Sequence, residues 1–304
     1  MLLFGAVRGR SFIVASLFFA GLAFAAPEKA KVDKTEKKPT RDWQEVGTNH
    51  WQIKPATPGE APDVTDAAEG TRGKCSAGMV EVKGQMRVTS IGDELQKSIC
   101  TNWINKEFPE RCASFDQAKW KAIRDKLPTK EMHYCIDRFE YPNRKGENPV
   151  IYVNFPEAEA MCTAEKKRLC SEEEWTFACE GEEARPYPYG FDRDKDACIT
   201  DKAWRPFDPN AYGKKETLIM ELDRLWQGVP SGSQTKCKSP FGVYDMTGNV
   251  DEWTRSSVAG RKSILKGGYW GPVRTRCRPS TRAHGEAHVF YQQGVRCCKD
   301  APAP

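Results

Sequence analysis

The sequence contains twelve cysteines, a residue that acts as a nucleophile, as a metal ligand or as half of a disulfide bond. They are Cys75, Cys100, Cys112, Cys135, Cys162, Cys170, Cys179, Cys198, Cys237, Cys277, Cys297 and Cys298. None of them belongs to a C-x-x-C pair, so the sequence does not favour a structural zinc site. In an exported protein, an even set of this kind forms disulfide bonds whose connectivity the spacing alone does not give.

His284, Glu286 and His288 form a second candidate site, because they alternate along one short segment. In a β-strand the three side chains would share a face, and in a helix the two histidines, four residues apart, would do so. Two histidines and a carboxylate are a ligand set of non-haem iron. The other interpretation is a polar loop, since no other region of the sequence contributes a clear additional ligand.

The third candidate site is the turn from Asp245 to Glu252, where two carboxylates flank a glycine at position 248. Calcium takes about six to eight oxygen ligands at flexible geometry, and carboxylates together with turn carbonyls supply them. The sequence therefore predicts calcium at this turn. A simple acidic turn is the alternative.

The start of the chain predicts export. Arg8 and Arg10 precede an apolar run over residues 11–23, which ends in a small-x-small pattern at Ala25. This is typical of a secretory signal peptide over residues 1–25. A membrane anchor is the alternative, but the run is shorter than the roughly 18–20 residues that a span needs. We expect a periplasmic or secreted protein, with no membrane span after signal cleavage, in a compartment where disulfides persist.

The composition predicts a soluble domain that follows a polar segment. The 304 residues are 39% hydrophobic and 29% charged, with a net charge of +5 from 47 basic and 42 acidic residues. A surplus this small does not predict a nucleic-acid-binding protein. Residues 26–73 are rich in Lys, Glu and Pro and contain no cysteine, so they predict a disordered linker despite Trp43 and Trp51. The folded domain is expected over residues 74–300.

Within that domain, local patterns predict few regular elements. The predicted strands are 79–82, 134–141 and 263–266, and the predicted helices are 91–126, 155–167 and 172–179. Pro156 suits a first helical turn, and Ser171 with Glu174 forms a capping box. Beyond Gly181 we expect regular elements to be scarce.

Four blocks of the sequence, in this order, resemble the formylglycine-generating enzyme (sulfatase-modifying factor) family. They are Lys167–Gly181 with Tyr187–Gly190, Ser239–Trp253, Leu265–Trp270, and Arg278–Arg282 with Gly294–Cys297. The resemblance implies a C-type-lectin-like α+β fold with little regular secondary structure, stabilised by disulfides and calcium. Family members oxidise a cysteine of a sulfatase to formylglycine, using oxygen and a copper(I) ion held by two thiolates. Other proteins of this fold are iron enzymes or ligand-binding modules, so the fold alone does not give the function.

The resemblance also implies roles for single positions. The family's calcium ligands fall on four residues, the middle two acting through their carbonyls: Asp245, Gly248, Val250 and Glu252. Two disulfides are implied, Cys179–Cys277 and Cys162–Cys297. A bond between adjacent cysteines is strained, so Cys298 is expected to pair elsewhere than with its neighbour.

The catalytic pattern of the family is altered at three positions. Tyr269 stands where the active-site serine is expected, Pro272 stands where the first copper cysteine is expected, and Asp251 replaces a usual tryptophan. Cys277 matches the second copper cysteine when positions are counted from the preceding glycines, but not when they are counted back from the following arginine motif. It is therefore a candidate catalytic residue, although the implied bond to Cys179 favours a structural role for it.

Two functions follow as expectations. The first is an exported family member with altered or lost cysteine-oxidising activity and a calcium-stabilised binding or accessory role. The alternative is an active oxidoreductase, either a copper oxidase acting on a target-protein cysteine or an iron enzyme using the histidine segment. The expected partner is an exported protein or peptide, or a small ligand. Pro272 favours the first function, because copper(I) selects thiolates.

Overall fold

The computed structural model describes residues 39–55 and 75–302. The predicted signal peptide, parts 26–38 and 56–73 of the predicted linker, and residue 74 of the predicted domain lie outside these residues. The helices are α1 Gly92–Ser98, α2 Gln117–Arg124, α3 Phe155–Ala164, α4 Glu172–Glu180 and α5 Lys215–Leu225, with a 3-10 helix at Pro209–Gly213. The strands are β1 Trp43–Val46, β2 His50–Ile53, β3 Met79–Arg87, β4 Cys100–Asn105, β5 Arg111–Phe115, β6 Thr129–Asp137, β7 Arg168–Leu169, β8 Asp251–Arg255, β9 Ser263–Lys266, β10 Ser280–Thr281, β11 Gln293–Val295 and β12 Cys297–Asp300.

Two four-stranded sheets form the frame of the domain. The first has the order β3-β6-β12-β7 and is antiparallel throughout. The second has the order β10-β9-β8-β11, and its β11 runs parallel to β8. Only Arg296 separates β11 from β12, so one residue connects the two sheets. No helix in the two described ranges is long and apolar enough to cross a membrane.

Helices α3 and α4 begin at the residues that the sequence predicts. Asn154 with Glu157, and Ser171 with Glu174, form complete capping boxes, in which each member satisfies a backbone N–H of the first turn. α4 is buried from Trp175 to its end, where it packs against the apolar face of the first sheet. The local signals suffice here because the helix ends are determined by neighbouring residues.

The predicted helix over residues 91–126 is wrong in its middle. α1 ends at Ser98, the hairpin β4-β5 follows, and α2 starts only at Gln117. The disulfide Cys100–Cys112 closes that hairpin. Trp103 and Ile104 have strand-forming side chains, and Pro109 cannot continue a helix, so the composition of this stretch suits the hairpin.

Helix α5 is an element that the sequence analysis did not predict. Leu218, Leu222 and Leu225 recur at helical spacing and form one buried side of the helix. They pack with Trp226 and Trp270 in a single apolar cluster. The pattern was present in the sequence, but the surrounding Gly, Pro and charged residues obscured it.

The predicted disorder of residues 26–73 is wrong for the part that the structure describes. β1 and β2 pair in antiparallel register, from Trp43 opposite Ile53 to Val46 opposite His50. Trp51 is only 1% exposed and lies in the same apolar cluster as α5. Trp43 and Trp51 bury enough apolar surface to order this polar segment. The average composition of residues 26–73 does not show the effect of two single side chains.

Six disulfides stabilise the domain. They are Cys75–Cys135, Cys100–Cys112, Cys162–Cys297, Cys170–Cys298, Cys179–Cys277 and Cys198–Cys237. All twelve cysteines lie in the described ranges and none of them is free. Both pairings implied by the resemblance are confirmed, and Cys298 bonds Cys170 rather than its neighbour.

The side-by-side bonds Cys162–Cys297 and Cys170–Cys298 give a test of this network. While one bond is intact, the other closes a loop of only about nine residues, so replacing one pair by alanine should lower the free energy of unfolding by about 2.5 kcal/mol. Removing both pairs should cost about 6 kcal/mol, about 1 kcal/mol more than the two single losses together, because the shortest remaining loop, which runs through Cys179–Cys277, has about 30 residues. Urea denaturation followed by tryptophan fluorescence measures all three values.

The bond Cys100–Cys112 provides the control for this experiment. It lies in a separate hairpin, so its removal should add to either single loss without any excess. A double loss no larger than the sum would show that the two neighbouring bonds do not share one loop.

Candidate functional site

A glycine loop follows β9 at the position where the resemblance placed catalytic residues. Gly267 has a φ of +88°, and a Cβ there would lie 3.0 Å from the carbonyl oxygen of Met246. Only glycine combines this backbone conformation with so close an approach of two main chains. The loop therefore holds Tyr269, the first residue after the two glycines, against the core.

Tyr269 fills the position expected for a catalytic serine. Its ring packs edge-on against Trp270 at 5.7 Å and against Tyr291 at 6.2 Å between centroids. Trp270 in turn packs on Trp226 at 4.9 Å. Burial raises the pKa of the Tyr269 phenol, so this group holds its proton and is a poor base.

A narrow cleft with no room inside it for a water-sized molecule lies beside these rings. Its walls include Trp204, Arg205 and Gln227 together with the rings of Tyr269 and Trp270. Trp204 is 62% exposed, which is high for so large an apolar side chain. The cleft is lined by aromatic faces, one guanidinium and one amide, but it is too narrow to enclose a ligand.

Cys277 has no free thiol in this arrangement. It is fully buried and bonded to Cys179 in α4, and its backbone N–H donates to the carbonyl of Pro186. Copper(I) needs thiolates, and a disulfide sulfur does not provide one. With Pro272 at the other expected position, the loop presents no cysteine pair for copper.

Glu252 is the most fully paired carboxylate in the predicted calcium turn. Arg296 donates to both of its oxygens at 2.7–3.1 Å, and Trp175 Nε1 donates to one of them at 2.6 Å. Both Glu252 and Arg296 are buried. Each oxygen of Glu252 thus accepts two hydrogen bonds from protein donors.

Asp245 and Glu140 are two further buried carboxylates near this pair. Asp245 accepts from the Gly232 N–H at 2.6 Å, and burial raises its pKa to about 7. Glu140 accepts from Ser231 Oγ and from Asn249 Nδ2, and burial together with the charge of Asp245 raises its pKa well above the usual range. Glu140 was not among the predicted site residues; the predicted strand over 134–141 ends at Asp137, and Glu140 lies in the bend that follows it.

Gly248 and Val250, the expected carbonyl ligands, join the acidic turn to the glycine loop. Gly248 has a φ of +80°, and a Cβ there would lie 2.2 Å from the Ile199 carbonyl oxygen. Its N–H donates to the Gly267 carbonyl, while the Val250 side chain is buried in the α5 cluster. The backbone of the predicted calcium turn is therefore held by close packing and by hydrogen bonds. Its two predicted carboxylate ligands have different protein partners: Asp245 accepts from Gly232, and Glu252 accepts from Arg296 and Trp175.

Asp251 links the two loops through a further contact. The Gly268 N–H donates to its carboxyl group, and burial raises the pKa of Asp251 to about 7. A tryptophan at this position would leave that N–H without this acceptor. The altered residue is therefore part of the structure that holds Tyr269 in place.

The predicted iron ligands do not converge. The rings of His284 and His288 stack face to face at 3.8 Å, whereas Glu286 pairs with Lys262 at 3.7 Å. Burial and the neighbouring imidazole lower the pKa of His284, and one nitrogen of His288 lies 2.8 Å from the Gln293 amide. Across residues 39–55 and 75–302, no three His, Cys, Asp or Glu side chains are arranged as a metal site.

Comparison with known proteins gives a family. The sulfatase-modifying factor enzyme 1-like domain matches residues 88–301. The inactive Cα-formylglycine-generating enzyme 2 of Bos taurus is 30% identical over 173 residues, which are 53% of this chain and 53% of that protein. The formylglycine-generating enzyme of Mus musculus is 23% identical over 190 residues, or 51% of this chain and 45% of that protein. The chain thus spans about half the length of these relatives.

Among solved structures, PvdO from Pseudomonas aeruginosa aligns over 81% of this chain and 99% of its own, with 16% identity and a TM-score of 0.46. The family match, by contrast, extends over most of the disulfide-stabilised domain. It contains all four blocks on which the resemblance rested. The expected α+β fold, rich in disulfides and poor in regular structure, is confirmed. The chain belongs to the sulfatase-modifying factor enzyme 1-like family.

Proposed function

We propose that this chain is an exported family member that has lost the cysteine-oxidising chemistry and acts as a binding or accessory protein. The observation that carries the proposal is the state of the cysteines. All twelve are in disulfides, and the loop that would hold copper has Pro272 and the bonded Cys277. Without two thiolates the family's copper(I) ion has no ligands here.

Three further observations support the proposal. Tyr269 is packed between Trp270 and Tyr291 where a small serine is expected, so the reactive position is filled with aromatic carbon. Relatives at 30% identity in Bos taurus and Mus musculus are named as inactive forms of the enzyme. Six disulfides support export, because such bonds persist in oxidising compartments.

The binding surface of this proposal is the exposed surface around Trp204, beside the narrow cleft at Tyr269. Exposed Trp204 and the neighbouring Arg205 offer an apolar face and a cation to an exported protein, a peptide or a small ligand. The active-oxidase alternative has less support, since Cys179 and Cys277 are both inaccessible in the core. The iron alternative has none from geometry, since the histidine rings stack on each other.

Calcium at the acidic turn is part of the same proposal. Glu140 and Asp245 are buried carboxylates near an arginine that Glu252 already neutralises, and burial raises the pKa of both. A bound cation would take the place of their protons and stabilise the charged carboxylates. Glu252 has less capacity as a ligand, because Arg296 and Trp175 use its lone pairs. Asp245 is therefore the residue on which a calcium test depends.

The absence of free thiols among the twelve cysteines can be tested directly. Alkylation of the denatured, unreduced chain should label no cysteine, and the folded chain should neither retain copper(I) in competition with a chelator nor oxidise a cysteine-containing peptide. The variant Pro272→Cys is the control, because it should add one labelled thiol and prove the labelling method. Two labelled cysteines that include Cys277, together with copper retention, would instead restore the oxidase function.

Calcium binding at Asp245 should stabilise the folded chain. Saturating calcium should raise the melting temperature of the chain above its value in chelator by about 5 °C or more, and Asp245→Asn should abolish that difference. Differential scanning calorimetry with calcium and with EGTA measures both.

Glu252→Gln is the matched control for the calcium prediction. It weakens the partner of a buried arginine, so it should lower the melting temperature equally in calcium and in EGTA. A parent chain that melts at the same temperature in both buffers would remove calcium from the proposal.

A further inference from the structure

An open depression of about 490 Å³ lies on the domain and shares no lining residue with the cleft at Tyr269. Two walls form it, residues 185–197 and residues 235–239. The side chains that line it are Arg185, Tyr189, Asp194, Ala197, Thr235, Lys236, Lys238 and Ser239. The volume falls in the range of about 300–1,000 Å³ that is typical of sites for small molecules.

The two walls of this depression are joined covalently. Cys198, directly after the first wall, is bonded to Cys237 in the second. Backbone hydrogen bonds hold the second wall as well, since Asp245 donates to the Cys237 carbonyl at 2.9 Å and Ser239 donates to the Val243 carbonyl at 2.8 Å. The depression is therefore formed without a ligand, so that little conformational entropy is lost when one binds.

Tyr189 gives the first wall a flat aromatic ring. This ring stacks in parallel on Tyr187, with 5.3 Å between the centroids, and it packs beside Cys198 and Cys237. The Tyr189 hydroxyl donates to the Asp194 carbonyl at 3.4 Å. The orientation of the ring is therefore fixed, and it offers a stacking partner to a flat ring in a ligand.

The charged groups of the depression include one cation without a carboxylate partner. Arg185 pairs with Glu183 at 2.5 Å, and Lys236 pairs with Asp194 at 3.2 Å. Lys238, by contrast, forms no salt bridge with any carboxylate in residues 39–55 and 75–302. An anionic group in the depression would therefore meet a positive charge that the chain itself does not neutralise.

Ser239, the next residue, adds a hydrogen-bond donor to this cation. Its side chain is only 4% exposed, and its oxygen accepts from the Val243 N–H at 3.3 Å. No group in the described part of the chain accepts the proton of the Ser239 hydroxyl. A buried donor without an acceptor costs free energy, which an oxygen atom of a ligand would recover. Lys238 and Ser239 thus suit one anionic group.

We propose that this depression binds a small molecule in which a flat ring carries one anionic group, a carboxylate or a phosphate. The ring stacks on Tyr189, and the anionic group binds the Lys238 ammonium and the Ser239 hydroxyl. Asp194 opposes binding, because it neutralises Lys236 at the same site. The inference goes beyond the proposed binding function, since none of these residues lies in the exposed surface around Trp204.

Phenyl phosphate and benzoate are the probes that test this proposal, because they carry the same ring with different anionic groups. In an NMR titration of the ¹⁵N-labelled chain, at least one of them should shift the amides of residues 185–197 and 235–239. The one that binds more tightly identifies the anionic group. It should bind about tenfold or more tightly than phenol or inorganic phosphate, because two linked groups bind at one site. Absence of shifts at these amides with both probes would overturn the proposal, and equal affinity for inorganic phosphate would indicate an adventitious ion only.

Two charge variants with opposite expected effects test the role of Lys238. Lys238→Met should weaken binding of the tighter probe about three- to fivefold, the size of an exposed ion pair, and Asp194→Asn should strengthen it by a similar factor. A folding defect does not produce a gain in affinity. Lys126→Met, at an exposed lysine outside the depression, is the matched control and should leave the affinity unchanged. Unchanged affinity in both charge variants would remove the anionic group from this site.

A pair of variants at Tyr189 tests the stacking. Tyr189→Phe keeps the ring and should keep the affinity for the tighter probe. Tyr189→Leu removes the ring and should abolish most of the preference of the chain for that probe over inorganic phosphate. The same preference in Tyr189→Leu as in the unaltered chain would show that the ring of the ligand does not stack there.

Discussion

The ion pair between Glu252 and Arg296 is the interaction on which the rest of this domain depends. Glu252 lies in β8 of the second sheet, and Arg296 is the single residue between β11 and β12. Arg296 also donates to the carbonyls of Asp137 and Tyr244, while α4 reaches Glu252 through Trp175. Two sheets, one helix and the acidic turn therefore meet at one guanidinium. Such a buried pair contributes little net stability against an apolar substitute, but it penalises every arrangement that leaves either charge alone.

Covalent bonds surround this ion pair. The two residues after Arg296 bond Cys162 and Cys170, on α3 and at the end of β7. These two bonds hold the start of the short strand β12, and they thereby fix the position of Arg296 directly before it. Loops such as the one that carries Tyr269 are the parts of this domain that can vary most, because disulfides constrain the sheets behind them.

The parts of the fold that the sequence predicted are those with local causes. Capping boxes determine α3 and α4 within four residues, and the strand over 263–266 is short, apolar and bounded by turns. The hairpin β1-β2 and the exact role of Glu252 depend on partners far along the chain. Trp43 meets Asp223 after 180 residues, and Glu252 meets Arg296 after 44. The spacing of the carboxylates along the chain is the same whether they bind calcium or pair with an arginine. The sequence therefore indicated Asp245 and Glu252 but not that Arg296 is the partner of Glu252.

The adjacent pair Cys297–Cys298 has a consequence for the order of assembly. Successive residues of a strand point to opposite faces, so β12 is fastened to one element on each side. Both bonds join the last few residues of the domain to positions near its middle. In a chain that emerges from its amino end, Cys162 and Cys170 must wait as thiols until almost all of the domain has appeared, while Cys100 and Cys112 have each other within reach early. Premature pairing of these two waiting cysteines is the error that such a chain must avoid, and a thiol-disulfide isomerase is the activity that would correct it.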